Sequence, residues 1–150
     1  MSRIPIEDAP VHPWIDRAVG IVVELTAAGL VLLLARATPD PSGFNTHVQL
    51  GMQPCGWPAA HGIPCPTCGV TTSACLLVHG RILDALLNQP FGAVATAAGL
   101  GLAAWCAFCL ARGRSILAEL AMWPLWRGGF IAILLLLASW LYKYLVFRAR

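Results

Sequence analysis

The chain has 150 residues, of which 58% are hydrophobic and 11% are charged, and its mean hydropathy is +0.71. Soluble domains carry about 25% charged residues and need polar side chains on the outer faces of their helices and strands. The composition therefore excludes an ordinary soluble domain and predicts one all-α integral membrane domain over residues 1–150. The net charge of +3 comes from Lys and Arg scattered near the ends of apolar runs, so nucleic-acid binding is not indicated.

The first predicted span covers residues 18–35, between Arg17 and Arg36, as expected for a helix whose ends are held at the two interfaces by cations. A signal peptide is the competing interpretation, because Ala35-Arg36-Ala37 resembles a cleavage site. We expect the segment to be retained, since the run starts late and its N-terminal flank is acidic where that of a signal peptide is basic.

Residues 38–89 form a long connection rich in Pro, Gly, Cys, His and Asn, with apolar pieces too short to cross a bilayer. Long loops in compact proteins usually carry a function or secondary structure of their own. Short helices are predicted at 70–79, with Gly80 in the stop position, and at 82–88, where the leucines share one face. We expect these helices to be interfacial or re-entrant.

The second and third predicted spans are residues 91–111 and 128–147, the latter with Lys143 as an interfacial anchor. The second is rich in Gly and Ala, which let helices approach closely in lipid, so it should be the most buried. Between them, residues 115–126 predict an interfacial helix broken by Pro124. Lys and Arg divide equally between the two sides, but the short loop after the second span favours an inside N-terminus and an outside connection.

Four of the six cysteines lie in or near the connection: Cys55, Cys65, Cys68 and Cys75. Cys65 and Cys68 are separated by two residues, a spacing that recurs in zinc knuckles and in dithiol redox sites. Gly69 permits the sharp backbone reversal that either use requires. The connection is therefore the candidate functional site of the chain.

Three interpretations of these cysteines stay open. A structural metal site needs four nitrogen or sulfur ligands in a tetrahedron, and zinc is the cofactor that suits such a set. A disulfide, structural or exchanging, needs two cysteines and an oxidising face of the membrane. Alternatively, the thiols are small half-buried side chains in a tight turn, without metal or bond. The candidate metal ligands are Cys65, Cys68, Cys55 and Cys75, with His61 and His79 as alternates.

Other candidate groups are less specific. Cys106 and Cys109 share one face of the second span, where cysteine usually serves as a small apolar residue. Glu24 is the only charge in the first span, and we expect it to snorkel or to bond a neighbouring helix rather than to carry protons or solutes. The sequence offers no Ser-His-acid set, phosphate-binding glycine loop or carboxylate pair, so enzyme activity is poorly supported and no catalytic residue is assigned.

The connection resembles a bacterial membrane family of unknown function, the DUF2752 type, marked by a C-P-x-C-G-x-T core. Shared positions run in matching order from Leu50-Gly51 and Cys55 through residues 62–71, then through His79-Gly80 and Ala85 to residues 88–92. Family members usually show Arg after the Thr of the core, where this chain has Thr72, and an uninterrupted Asn-Pro, where this chain inserts Gln89. The resemblance implies a small helical membrane protein and no established reaction.

These observations predict an accessory or interaction subunit of the bacterial cytoplasmic membrane, embedded in the lipid bilayer and working with other integral membrane proteins. The Cys65–Cys68 turn would fix the connection against the spans. The alternative is a membrane thiol-disulfide oxidoreductase in which one of these two cysteines is the nucleophile and the other the resolving thiol.

Overall fold

A computed structural model of the chain describes residues 12–148, except for the side chain of Ala59. The elements in this part are all helices, and three of them, α1, α5 and α7, are long and apolar enough to cross a membrane. The predicted all-α class with three spans is therefore confirmed. In chain order the helices are α1 (Pro13–Arg36), a 3₁₀ helix (Thr46–Leu50), α2 (Trp57–His61), α3 (Val70–Val78), α4 (Ile82–Asn88), α5 (Pro90–Ala111), α6 (Ile116–Ala121) and α7 (Leu125–Arg148).

Two spans begin earlier than the apolar pattern predicts. α1 begins at Pro13 rather than at residue 18, and α7 begins at Leu125 rather than at residue 128. Charged residues lie in both first turns, Asp16 in α1 and Arg127 in α7, and the apolar pattern assigned them to loops. Proline is pre-organised for a first helical turn, and the carbonyl of Pro124 accepts the first backbone hydrogen bonds of α7.

Helix α5 is the centre of the bundle. It packs against α1, α3, α4, α6 and α7, and 22% of its most apolar window is buried, against 11% for α1 and 6% for α7. The expectation that the second span is the most buried is therefore confirmed. Small residues allow this packing, because a Cβ atom on Gly92 would lie 2.9 Å from Val70 Cα of α3.

The connection folds back onto the spans. Helix α3 packs on α1, α4, α5 and the 3₁₀ helix, and its Ala74 and Cys75 form a buried cluster with Leu34 and Ala37 at the end of α1. Helices α3 and α4 occupy the two segments predicted to be helical. The 3₁₀ helix and α2 were not predicted, because five-residue elements are too short to show a periodicity.

Helix α6 closes the opposite end of the bundle. It lies within the segment predicted at 115–126 but ends at Ala121. Asp16 of α1 is fully buried beside it. The Asp16 carboxylate accepts hydrogen bonds from the backbone N–H groups of Ile116 at 3.0 Å and Leu117 at 2.9 Å, and from the Ser115 hydroxyl at 3.2 Å. This carboxylate satisfies the first donors of α6 and attaches α6 to α1.

Candidate metal centre in the connection

The segment from Cys65 to Cys68 is a tight hydrogen-bonded turn. The Cys68 N–H donates to the Cys65 carbonyl at 3.0 Å, and Pro66 stands at the second position, where its fixed φ suits a turn. Gly69 follows with φ of +90° and precedes α3. A Cβ atom at Gly69 would lie 2.6 Å from the Gly43 carbonyl oxygen, so both the conformation and the space at this position require glycine.

Three thiols meet at this turn. The Sγ atoms of Cys65 and Cys68 are 2.9 Å apart, and the Cys55 Sγ lies 3.7 Å from that of Cys65 and 4.0 Å from that of Cys68. The Cys65 backbone N–H also donates to the Cys68 sulfur at 3.2 Å, an interaction that favours a thiolate. Within residues 12–148, these three cysteines are the one group of His, Cys, Asp or Glu residues whose ligand atoms lie close enough together to hold a metal ion.

The other predicted ligands lie outside this three-thiol cluster. Cys75 is fully buried in α3, and its S–H donates to two carbonyl oxygens at the end of α1, each at 3.4 Å. His79 Nδ1 lies 2.8 Å from the Cys75 carbonyl oxygen. The His61 ring stacks on Trp57 with a centroid separation of 4.3 Å. The structure thus brings together Cys55, Cys65 and Cys68, and places the remaining three candidates elsewhere.

The two thiols of the turn have opposite electrostatic environments. Burial raises the pKa of Cys68 to about 12, and the neighbouring Cys65 sulfur adds to this increase. Burial also acts on Cys65, but hydrogen bonds with Cys68, Thr67 and Cys55 outweigh it and lower the pKa of Cys65 below its ordinary value. Cys65 is therefore the thiol of this pair that ionises first.

Side chains from α7 and from the junction of α4 and α5 hold the turn. The Trp140 indole N–H of α7 donates to the Pro64 carbonyl at 2.9 Å. Gln89 is fully buried at the junction of α4 and α5, and its Nε2 donates to the Pro66 carbonyl at 3.3 Å. In the sequence, Gln89 is a departure from the family pattern. In the structure, its side chain contacts the backbone of the cysteine turn.

A second set of polar contacts lies beside the turn. Asn88 donates through Nδ2 to the Gly69 carbonyl at 3.1 Å and accepts through Oδ1 from the Lys143 ammonium at 2.9 Å. Lys143 also donates to the Asn88 carbonyl at 3.1 Å and to the Gly43 carbonyl at 3.4 Å. The sequence indicated an interfacial anchor at Lys143, and the structure shows that this side chain joins α7 to both ends of the connection.

The remaining candidates lie away from the turn. Cys106 and Cys109 are buried in α5 and pack against Ile116 of α6, in agreement with a packing role. Because α1 begins at Pro13, Glu24 lies near the middle of the span rather than near its end. Its Oε1 is buried and has no hydrogen-bond partner within the described chain.

Residues 55–110 match the family described as "Protein of unknown function (DUF2752)". No curated protein and no solved structure gives a match. The matched segment begins at Cys55, so it contains the whole three-thiol cluster together with Asn88 and Gln89. It ends before α7, which supplies Trp140 and Lys143 from outside the matched region.

Proposed function

We propose that this chain is an accessory subunit of a membrane complex in the bacterial cytoplasmic membrane, and that Cys55, Cys65 and Cys68 bind zinc as a structural element. The observation that carries the proposal is the convergence of three thiols at a turn held by side chains from α7 and from the junction of α4 and α5. Zinc bound there would fix the connection against α5 and α7.

The sulfur positions favour a metal over a disulfide. A zinc ion with Zn–S bonds of about 2.3 Å in a tetrahedron separates its sulfur ligands by about 3.8 Å. The two distances from Cys55, 3.7 and 4.0 Å, are close to this value. The Cys65–Cys68 pair, at 2.9 Å, would have to open on metal binding. A disulfide would use two of the three thiols and leave the third without a role, whereas a metal ion uses all of them.

The exposed surface of α7 supports an accessory role. Every residue from Leu125 to Leu134 is exposed, and 6% of the most apolar window of α7 is buried within the chain. The contacts that attach α7 to the connection lie in its second half, at Trp140, Tyr142 and Lys143. The first half therefore offers a long apolar face to lipid and to the helices of other membrane proteins.

Metal content and thiol titration of the purified protein test the metal site. We expect one zinc ion per chain, three thiols that become reactive after chelation, and loss of the metal in Cys65→Ser. A Cys106→Ser/Cys109→Ser double variant has the same residue spacing at a buried site and should keep its zinc. A metal-free protein with a Cys65–Cys68 disulfide would contradict the metal site.

Native mass spectrometry after extraction in a mild detergent tests the accessory role. We expect the tagged chain to leave the membrane in a defined complex with at least one other integral membrane protein. A stable, monodisperse monomer without a stoichiometric partner would contradict the role.

A membrane thiol-disulfide oxidoreductase is the second candidate. It is favoured by the lowered pKa of Cys65 beside the raised pKa of Cys68. The Cys65 thiolate would attack a substrate disulfide, form a mixed disulfide and release one substrate thiolate. Cys68, after losing its proton, would then attack the Cys65 sulfur, release the second substrate thiolate and leave a Cys65–Cys68 disulfide.

The two candidates differ in what a double substitution does. A Cys65→Ser/Cys68→Ser variant of an oxidoreductase stays folded and loses dithiol exchange with a reporter disulfide. The same variant of a structural zinc protein loses thermal stability, and the wild-type protein shows no exchange.

A further inference from the structure

We infer that the three-thiol cluster binds its metal ion through Cys55, Cys65 and Cys68 alone and leaves the fourth position to an imidazole nitrogen of a partner protein. This inference rests on the proposed metal site and adds its coordination and its ligand class. A site of this kind is a docking point, because a metal ion with three ligands from one chain completes its tetrahedron by binding a second chain.

Every cysteine and histidine of the sequence lies in the part of the chain that the structure describes. All six cysteines and all four histidines fall within residues 12–148, and among them Cys55, Cys65 and Cys68 form the one group of three or more whose ligand atoms all lie within 4.8 Å of one another. Cys75 donates to carbonyl groups of α1, and Cys106 and Cys109 pack against α6 at the far end of the bundle. These three thiols are held in buried packing and do not reach the cluster.

No histidine joins the cluster, since no imidazole nitrogen lies within 4.8 Å of all three sulfur atoms. His12 precedes α1, on the far side of the bundle, and His79 Nδ1 contacts the Cys75 carbonyl. His47 Nε2 lies 3.2 Å from the Gln53 carbonyl oxygen, and His61 stacks on Trp57 within α2. Within residues 12–148, the chain therefore supplies three cysteine ligands at the turn and no fourth cysteine or histidine.

The cluster is accessible from one side. Cys68 is buried, whereas Cys55 and Cys65 are half-buried, and the backbone next to Cys55 carries the exposed residues Gln53, Pro54, Gly56 and Trp57. An external side chain can approach from this exposed side. A closed structural site, by contrast, surrounds its metal with four ligands from its own chain.

Charge favours a neutral donor in the fourth position. Three thiolates and one Zn²⁺ carry a net charge of −1, and a fourth thiolate would raise this to −2 beside a low-dielectric membrane. An imidazole completes the coordination without adding charge, and three cysteines with one histidine form a common zinc ligand set. Histidine is therefore the partner residue that fits this centre.

Cobalt substitution of the purified full-length protein tests the inference, because tetrahedral Co²⁺ absorbs visible light and its thiolate bonds give a separate charge-transfer band. We expect Co²⁺ binding with a charge-transfer band that falls by about a third in Cys55→Ala. In the wild-type protein with bound Co²⁺, added imidazole should shift the visible bands until the effect saturates. The charge-transfer band should stay intact, because the nitrogen joins the metal without displacing a sulfur. His61→Ala and Cys75→Ser serve as controls and should behave like the wild-type protein in both measurements.

Two results would overturn the inference in different ways. Visible bands that do not respond to imidazole would mean that the fourth position is closed, and the proposed structural zinc site would stand. Absence of Co²⁺ binding by the wild-type protein would overturn both the inference and the metal site. Because the imidazole titration uses the wild-type protein, its result does not depend on whether each variant folds.

Discussion

Gly69 is the residue that combines the two constraints of the cysteine turn, a left-handed backbone and a close backbone neighbour. Gly69→Ala adds a Cβ atom at φ of +90° and 2.6 Å from the Gly43 carbonyl oxygen. A side chain in left-handed backbone costs roughly 1–2 kcal/mol, and the contact adds to that cost because backbone has to move. We expect the free energy of unfolding to fall by more than about 2 kcal/mol, as measured by thermal or detergent-induced unfolding.

Gly51→Ala is the matched control for this substitution. Gly51 has nearly the same φ, +84°, and no atom within 4 Å of an added Cβ. Gly51→Ala therefore has the conformational cost of a side chain in left-handed backbone without a close contact to another residue. If the two variants lose equal stability, the approach of Gly43 to the turn contributes nothing.

The different pKa values of Cys65 and Cys68 predict how the alkylation rate of each thiol depends on pH in the chelator-treated protein. The pKa of Cys65 lies below its ordinary value and that of Cys68 is about 12, so Cys65 has the larger thiolate fraction at every pH between them. With rising pH, the alkylation rate of Cys65 should level off first, while that of Cys68 is still increasing. Isotope-coded iodoacetamide with peptide mass spectrometry measures both rates in one sample.

The same thiols provide a control for this prediction. The Cys65 sulfur helps to raise the pKa of Cys68, so Cys65→Ser should make Cys68 more reactive at a given pH. Identical pH profiles for the two cysteines, or no change at Cys68 in the variant, would contradict the electrostatic account.

Sequence spacing predicted part of the cysteine site. The two-residue gap and the following glycine placed Cys65 and Cys68 in one turn, because those contacts are local. Whether Cys55 or Cys75 joined them depended on how the connection folds back. The contact of Gln89 with the Pro66 carbonyl spans 23 residues, and no local pattern encodes it.

At the scale of elements, long apolar runs identified the three spans because the bilayer sets their length and composition. The ends of the spans were predicted less well, since a charged residue inside a helix looks like a boundary. Asp16 is the clearest case. Its partners in α6 lie about 100 residues away, so only the folded chain shows why a carboxylate is buried in the first turn of α1.

Asp16→Ala should detach α6 from α1. The substitution leaves the Ile116 and Leu117 N–H groups without their acceptor in a buried site, at a cost of about 1–3 kcal/mol per group. We expect a matching loss of stability and faster amide exchange in α6. Asp84→Ala removes a carboxylate that is 50% exposed in an ion pair with Arg81, and as a control it should change stability by less than about 1 kcal/mol. Unchanged exchange in α6 of Asp16→Ala would contradict the capping role.

The attachment of α7 to the cysteine turn can be tested by removing one donor. Trp140→Phe keeps an aromatic ring and deletes the indole N–H that donates to the Pro64 carbonyl. We expect a stability loss of about 0.5–1.5 kcal/mol and faster amide exchange around residues 63–69. Trp126→Phe is the control, because Trp126 is 72% exposed and should have little effect on either measurement. Equal exchange in the two variants would show that α7 does not restrain the turn.

At the scale of the whole molecule, three spans place the connection and the end of α7 on one membrane face and the loop from α5 to α7 on the other. The contacts of Tyr142 and Lys143 with α4 agree with this arrangement, since they bring the end of α7 to the start of α5. Cations lie on both faces, so the charge bias that orients membrane proteins is weak here. The short loop after α5 carries Arg112 and Arg114, and cations in short loops next to a span contribute to the orientation.

Cysteine labelling tests both the number of spans and the orientation. In intact cells that express the protein, a membrane-impermeant maleimide should label Gln53→Cys, which lies in the connection. It should label Arg112→Cys only after permeabilisation, because the short positively charged loop favours the cytoplasmic side. Both positions are exposed, and peptide mass spectrometry resolves each labelled site, so the native cysteines need not be removed. The reverse pattern would invert the orientation and keep the three spans. Labelling of both positions from one side would contradict the three-span arrangement itself.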